Sequence, residues 1–126
     1  LEANNSDTGC YQLLIELTQK SKIKIGAMGE ILFPKGYYIY TGRGKRGLRS
    51  RVERHRRTNK KRRWHIDYLL EKSKIIEVFY YPGQLDECKI HRKSLDSIED
   101  SQVVKNFGSS DCRCGGHLLR TERKPS

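Results

Sequence analysis

The sequence predicts a small α+β domain, and three observations carry that prediction. Tyr11, Leu13, Ile15 and Leu17 recur with a period of two, the signature of a strand with one face buried. Tyr37-Tyr38-Ile39-Tyr40-Thr41 is an aromatic and β-branched run, which suits a pleated surface. Leu48, Arg51, Val52 and His55 then follow the i, i+3, i+4, i+7 spacing of one helix face. Strands come first, helices next, then a strand and a helix, an order unlike the regular alternation of a doubly wound parallel sheet. The expected architecture is a small mixed or antiparallel sheet flanked by helices, with an extended N-terminal hairpin.

The elements are taken in order. Residues 1–8 are polar and read as a disordered leader. Ile23 and Ile25 alternate with Lys22 and Lys24 just after the first strand, so these two segments are expected to pair as a hairpin. Ile31-Leu32-Phe33 reads as a short strand between Gly29 and Pro34. The helix from Leu48 is followed by a polar loop at 58–61 and a second helix over Trp64–Glu71, where Trp64 and Tyr68 share a face. Ile75–Tyr81 reads as a strand closed by Pro82-Gly83, and Leu85–Leu95 as a helix with Asp86 and Glu87 in its first turn, where carboxylates suit the helix dipole. Residues 97–106 read as a linker. One domain over 9–119 and a polar tail over 120–126 are expected.

Composition narrows the function. Of 126 residues, 26 are Lys or Arg and 15 are Asp or Glu, giving a net charge of +11. Positions 43–63 hold twelve of those cations: Arg43, Lys45, Arg46, Arg49, Arg51, Arg54, Arg56, Arg57, Lys60, Lys61, Arg62 and Arg63. The only acid there is Glu53, so the rest of the chain carries 14 of each sign and is neutral. Charge concentrated in this way is the footprint of a phosphate-bearing partner, because each phosphate contact releases a condensed counterion. The plainer reading is a solvated helix face. An interfacial membrane helix is disfavoured, since the stretch lacks a Trp/Phe/Leu face. No run of about 18 apolar residues is present to span a bilayer, and no signal segment is visible, so a cytoplasmic protein is expected.

There are four cysteines, Cys10, Cys88, Cys112 and Cys114, and in a reducing compartment they are expected as thiols. Cys112, Cys114 and His117 have a spacing near that of metal ligands, and Cys88 or His65 would complete a tetrahedral zinc site. A tight turn with buried thiols is the structural alternative.

One ordered set points to chemistry. Gly9-Cys10-Tyr11 opens the first strand, Tyr40-Thr41-Gly42 closes a later one, and Arg51 and His55 lie on the following helix, four residues apart and able to face one site. Taken in order, these segments resemble the signature of the GIY-YIG nuclease superfamily. Trp64-His65-Ile66-Asp67-Tyr68-Leu69-Leu70, the Glu87-Cys88 pair and Phe107-Gly108-Ser109-Ser110-Asp111-Cys112-x-Cys114 through His117-Leu118 look like a small GIY-YIG-related domain of prokaryotes. That resemblance covers about Gly9 to Leu119.

The resemblance implies a GIY-YIG-like fold and a metal-dependent endonuclease acting on DNA in repair or recombination, with RNA as the alternative substrate. It implies Tyr11 as general base or water-orienting group, Tyr40 beside it on the phosphate, Arg51 on the phosphate and Glu87 as ligand of one Mg²⁺ or Mn²⁺ ion. His55 is placed to orient Tyr11 or to take its proton. Arginine suits a phosphate through its planar fork, and a single carboxylate with waters suits magnesium. Products with 3′-hydroxyl and 5′-phosphate ends are implied. His65 and Asp67 are expected to cap, to anchor the helix or to line the cleft.

The sequence departs from the superfamily pattern in two places. Residues 12–39 separate the two signature tyrosines, more than a short hairpin, which implies an extra hairpin or a longer excursion. Cys10 stands where isoleucine is usual. Two other functions fit the residues: a nucleic-acid-binding module without catalysis, and a zinc-stabilised interaction domain.

Overall fold

The computed structural model describes residues 7–26, 29–44, 47–58, 60–62, 64–104, 107 and 117–125. Lys45, Arg46, Arg63, Asp111, Cys112 and Cys114 lie outside the described residues, as does the leader through residue 6. The elements run β1 (Gly9–Leu17), β2 (Ser21–Ile25), β3 (Gly29–Phe33), β4 (Gly36–Gly44), α1 (Leu48–Arg56), α2 (His65–Leu70), β5 (Lys74–Pro82), α3 (Glu87–Ser97), β6 (Gln102–Val104) and β7 (Leu118–Thr121). Five strands form an antiparallel sheet in the order β5-β1-β4-β7-β6, and β2 and β3 form a separate two-stranded hairpin.

The fold is mixed α+β, as the sequence predicts, but the expected pairing of β1 with β2 is replaced. β1 pairs with β4 from Gly9↔Gly44 to Leu17↔Gly36, and β2 pairs with β3. The reason is burial. β1 has eight of its nine residues buried, so it needs a strand on each side and apolar cover on both faces, which an internal position supplies. β2 has alternate residues buried and needs cover on one side only. The residues between the two signature strands therefore form the inserted hairpin β2–β3, whose Ile23, Ile25 and Phe33 join the core. Two short strands arise where none is expected: β6 inside the proposed linker, and β7, which runs two residues past position 119.

The sheet divides the protein into two layers of side chains. Tyr11, Leu13, Ile15, Tyr38 and Tyr40 point to one face, where they pack with Leu48 and Val52 of α1 and Ile66 and Leu69 of α2. Leu14, Ile39 and Leu119 point to the other face, toward Leu95 of α3. On that second face Gln12 is buried and fully engaged. It donates to Thr41 Oγ1 at 3.1 Å and to Ser94 Oγ at 2.8 Å, and accepts from the Tyr81 hydroxyl at 2.7 Å. This network ties α3 to three strands without leaving a buried amide unpaired.

α2 begins with an electrostatic anchor. Asp67 is wholly buried, accepts the Trp64 backbone N–H at 3.0 Å, and receives both guanidinium nitrogens of Arg54 at 3.0 Å. This fork holds α1 against α2. Among the described residues no helix is long and apolar enough to cross a membrane.

The fork yields a prediction. Arg54→Met leaves the Asp67 carboxylate buried without its cation and should cost about 3 kcal/mol of unfolding free energy, read from denaturant midpoints. The double variant Arg54→Met/Asp67→Leu should recover part of that loss. An Arg54→Met variant as stable as the parent would show that the pair does not anchor the helices.

Candidate functional site

The site is built on the first face of the sheet. Because Tyr11 stands opposite Gly42 and Leu13 opposite Tyr40, the two tyrosines are diagonal neighbours on one face. Their ring centroids are 6.4 Å apart. Gly42 is essential to this geometry: a Cβ there would overlap the Tyr11 hydroxyl and Cζ. Gly9 serves the other end of the motif. Its φ of 144° and the close approach of the Tyr81 carbonyl leave no space for a side chain. The Gly-x-Tyr and Tyr-x-Gly spacings are thus packing requirements of this sheet.

α1 lays His55 across the two tyrosines. The His55 Nε2 atom is 2.6 Å from the Tyr11 hydroxyl. Its ring lies 5.3 Å from Tyr11, 5.9 Å from Tyr40 and 5.8 Å from Trp64, centroid to centroid. Arg51, one turn earlier, stacks on Trp64 with its guanidinium carbon 4.6 Å from the ring centroid, and Arg54 does so at 4.3 Å. Trp64 is thereby a shared platform for two arginines.

Burial governs the protonation states. It pushes the Tyr11 hydroxyl well above the usual tyrosine range, with Tyr40 adding to the rise, while the charge and hydrogen bonding of Arg51 pull the other way. Burial likewise raises Tyr40, and Glu87 raises it further. The same burial drives His55 down to about 3, against a smaller upward pull from Asp67. The pair therefore rests neutral: Tyr11 donates its proton to the lone pair of His55 Nε2. That tautomer puts a hydrogen on Nδ1, which is buried without a partner among the described residues. His55 also lines a cavity of about 380 Å³ together with Arg56, Arg57, Lys60 and Lys74.

Glu87 stands at the start of α3, one residue after Asp86, which is the N-cap rather than part of the first turn and accepts the Lys89 N–H at 3.1 Å. Glu87 is one-quarter exposed, and its charge is felt by Tyr11, Tyr40 and Cys10. Its Oε2 lies 3.3 Å from His117 Nδ1, within reach of charge attraction but off the hydrogen-bond direction. His117 Nε2 in turn lies 3.3 Å from Cys88 Sγ. Tyr11, Tyr40, Arg51 and His55 are thus brought together, and Glu87 is coupled to them electrostatically across the sheet edge.

The remaining expected residues divide into groups. Arg54 is committed to Asp67; Lys60 donates to the Arg54 and His55 carbonyls at the end of α1; Arg62 forms a fork with Glu71. Arg43 reaches the Leu85 carbonyl at 3.4 Å. Arg49, Arg56, Arg57 and Lys61 are exposed and have no ion-pair or side-chain hydrogen-bond partner among the described residues. His65 packs edge-on to Phe107 at 5.8 Å, and Asp67 caps its helix. Cys10 is a buried free thiol, as expected; Cys88 is disulfide-bonded, where a thiol is expected. Sequence reasoning missed His91, which is wholly buried near His117. Its only signal was its spacing of three from Cys88 on the same helix.

Two predictions follow from this geometry. Gly42→Ala should displace the Tyr11 ring and cost about 1–3 kcal/mol, measured by denaturant unfolding, whereas Gly29→Ala, with open space around it, carries only the penalty of its φ of 83°. The second concerns pH. The unfolded chain protonates His55 near 6.5 and the folded chain only near 3, so the unfolded state binds more protons in that window. Stability should therefore fall as pH drops from about 6.5, by about 2 kcal/mol at pH 5 from this residue, and His55→Gln should flatten the slope. An equal slope in the variant would refute the assignment.

Comparison with known proteins places the chain. No curated protein and no solved structure matches it significantly. A family model described as "Domain of unknown function DUF123" matches residues 10–126. That match runs from β1 through β7 and takes in Tyr11, Arg51, His55 and Glu87, and the chain belongs to this family.

Proposed function

We propose that the chain is a nuclease domain of the GIY-YIG type that hydrolyses phosphodiester bonds in DNA. The observation that carries this reading is the Tyr11–His55 hydrogen bond of 2.6 Å with Arg51 and Tyr40 beside it. A tyrosine, a histidine and an arginine assembled on one sheet face match what the resemblance implies. The exposed cations Arg49, Arg56, Arg57 and Lys61 add sequence-independent grip on the phosphate backbone.

The donor set fits one hard divalent ion. Glu87 is an oxygen donor, one-quarter exposed and backed by a histidine, which suits a magnesium or manganese ion that keeps most of its waters. Such an ion supplies charge neutralisation at the phosphate. The chain's own residues do the rest. Arg51 holds a non-bridging phosphate oxygen through its planar fork, and its stacking on Trp64 pre-orients that fork. Tyr11 orients the attacking water, and proton transfer through its hydroxyl ends on His55 Nε2. Because the resting pair is neutral, with Tyr11 shifted up and His55 shifted down, the reactive ionised form is scarce at neutral pH. Repair or recombination is the cellular setting that such an activity suits.

A non-catalytic nucleic-acid-binding module is the second reading, and one observation favours it. Tyr11 is wholly buried, with its hydroxyl already engaged.

One assay separates the two readings. The full chain is incubated with Mg²⁺ or Mn²⁺ and duplex, nicked, flapped or branched DNA. Cleavage is expected, with Tyr11→Phe and Glu87→Ala each lowering the rate at least about 10²-fold while leaving DNA binding intact. With His55 as the final proton acceptor, neutral above about pH 3, the rate should vary little between pH 6 and 9. Salt-sensitive binding with no cleavage of any of these substrates would sink the nuclease reading and leave the binding module.

A further inference from the structure

The Cys88, His91 and His117 cluster has no task in the mechanism above. Cys88 and His91 lie three apart on α3, so they share a face of the helix. His91 is wholly buried, and neither of its ring nitrogens has a partner among the described residues. Leaving a buried polar atom unmade costs about 1–3 kcal/mol, so two on one ring ask for a ligand. The His117 ring lies 5.6 Å from His91, centroid to centroid, and its Nε2 is 3.3 Å from Cys88 Sγ. In a tetrahedral zinc site, a sulfur at about 2.3 Å and a nitrogen at about 2.1 Å stand roughly 3.5 Å apart. The Cys88–His117 pair is already at that spacing.

In this structure Cys88 is disulfide-bonded, so its sulfur is not a ligand. Consistently, no three His, Cys, Asp or Glu side chains among the described residues form a metal site. Reduction changes the donor set. A dithiol reductant gives two electrons and two protons, the S–S bond breaks, two thiols form, and the reductant closes to its own disulfide. Loss of the Cys88 thiol proton to solvent then leaves a thiolate beside two imidazoles. We infer that reduction of the Cys88 disulfide creates a soft-metal site on Cys88, His91 and His117, suited to zinc. Sulfur with two imidazoles selects zinc over magnesium or calcium. The fourth position is open to water. The site adjoins Glu87: with His117 Nε2 on the metal, its Nδ1 carries the proton and faces Glu87 Oε2 at 3.3 Å. This inference concerns a metal separate from the one proposed on Glu87, and its test needs no DNA.

The test uses the full chain in two redox states. Protein reduced with a phosphine and protein left oxidised are each loaded with Zn²⁺, desalted and analysed for bound metal, and a parallel sample takes Co²⁺ for its thiolate charge-transfer band. One zinc per reduced chain, none per oxidised chain, and a thiolate band on cobalt are expected. Cys88→Ser should abolish the band, and His91→Asn should weaken zinc affinity at least about tenfold. His91→Cys, which restores a ligand, should recover zinc binding and strengthen the band; this keeps the test valid if His91→Asn folds poorly. A reduced chain that retains no zinc, or a Cys88→Ser protein with an unchanged cobalt spectrum, would overturn the proposal. Because the readout is bound metal and a cobalt spectrum, failure here leaves the nuclease reading standing, and loss of DNA cleavage leaves this one standing.

Discussion

The structure turns on the hydrogen bond between the Tyr11 hydroxyl and His55 Nε2. It joins the sheet to α1 inside a layer where almost every other contact is apolar. A buried polar pair of this kind tolerates little displacement, because either partner left alone keeps its desolvation cost. Much of the local geometry serves it. Gly42 opens space for the Tyr11 ring, Tyr40 and Trp64 wall the imidazole, and the Arg54–Asp67 fork clamps α1 to α2 so that His55 cannot drift. The same burial makes both groups neutral at rest, which is a stable arrangement and a chemically quiet one.

That quietness bears on function. A water-excluded site magnifies each charge that enters it. The charge of Arg51 lowers, and that of Glu87 raises, both tyrosines. A phosphate and a divalent ion brought to this place would change the balance between tyrosine and histidine far more than they would on the surface. The second face of the sheet is built differently. Its polar network around Gln12 is complete, with every amide atom engaged, and so it holds α3 in place without inviting a ligand.

The basic stretch shows how composition and structure share the work. Twelve cations between positions 43 and 63 suggest a nucleic-acid partner by number alone. The fold spends some of them internally. Arg54 neutralises a buried carboxylate, Lys60 closes the carbonyl end of α1, and Arg62 pairs with Glu71. Among the described residues, the cations left exposed and unpaired by other side chains are a smaller set toward the ends of α1, with Arg51 held over Trp64.

Local pattern was sufficient for much of this. Period-two apolar spacing marked Tyr11–Leu17 as a strand, β propensity marked Tyr37–Thr41, and a 3.6-residue period put Leu48, Val52 and His55 on one helix face, each within the observed elements. The order of Tyr11, Tyr40, Arg51, His55 and Glu87 was legible in the same way. Only the tertiary structure decided which strands pair. Burial of both faces of β1 calls for two neighbours, and those neighbours, β4 and β5, come from distant parts of the chain. Short β6 and β7 carry too few residues to show a period, and they become strands only through pairing with each other and with β4. Asp67 and His91 are alike in this respect. The sequence offered Asp67 as a cap, anchor or cleft residue and did not single out His91, and only packing from distant segments buries both.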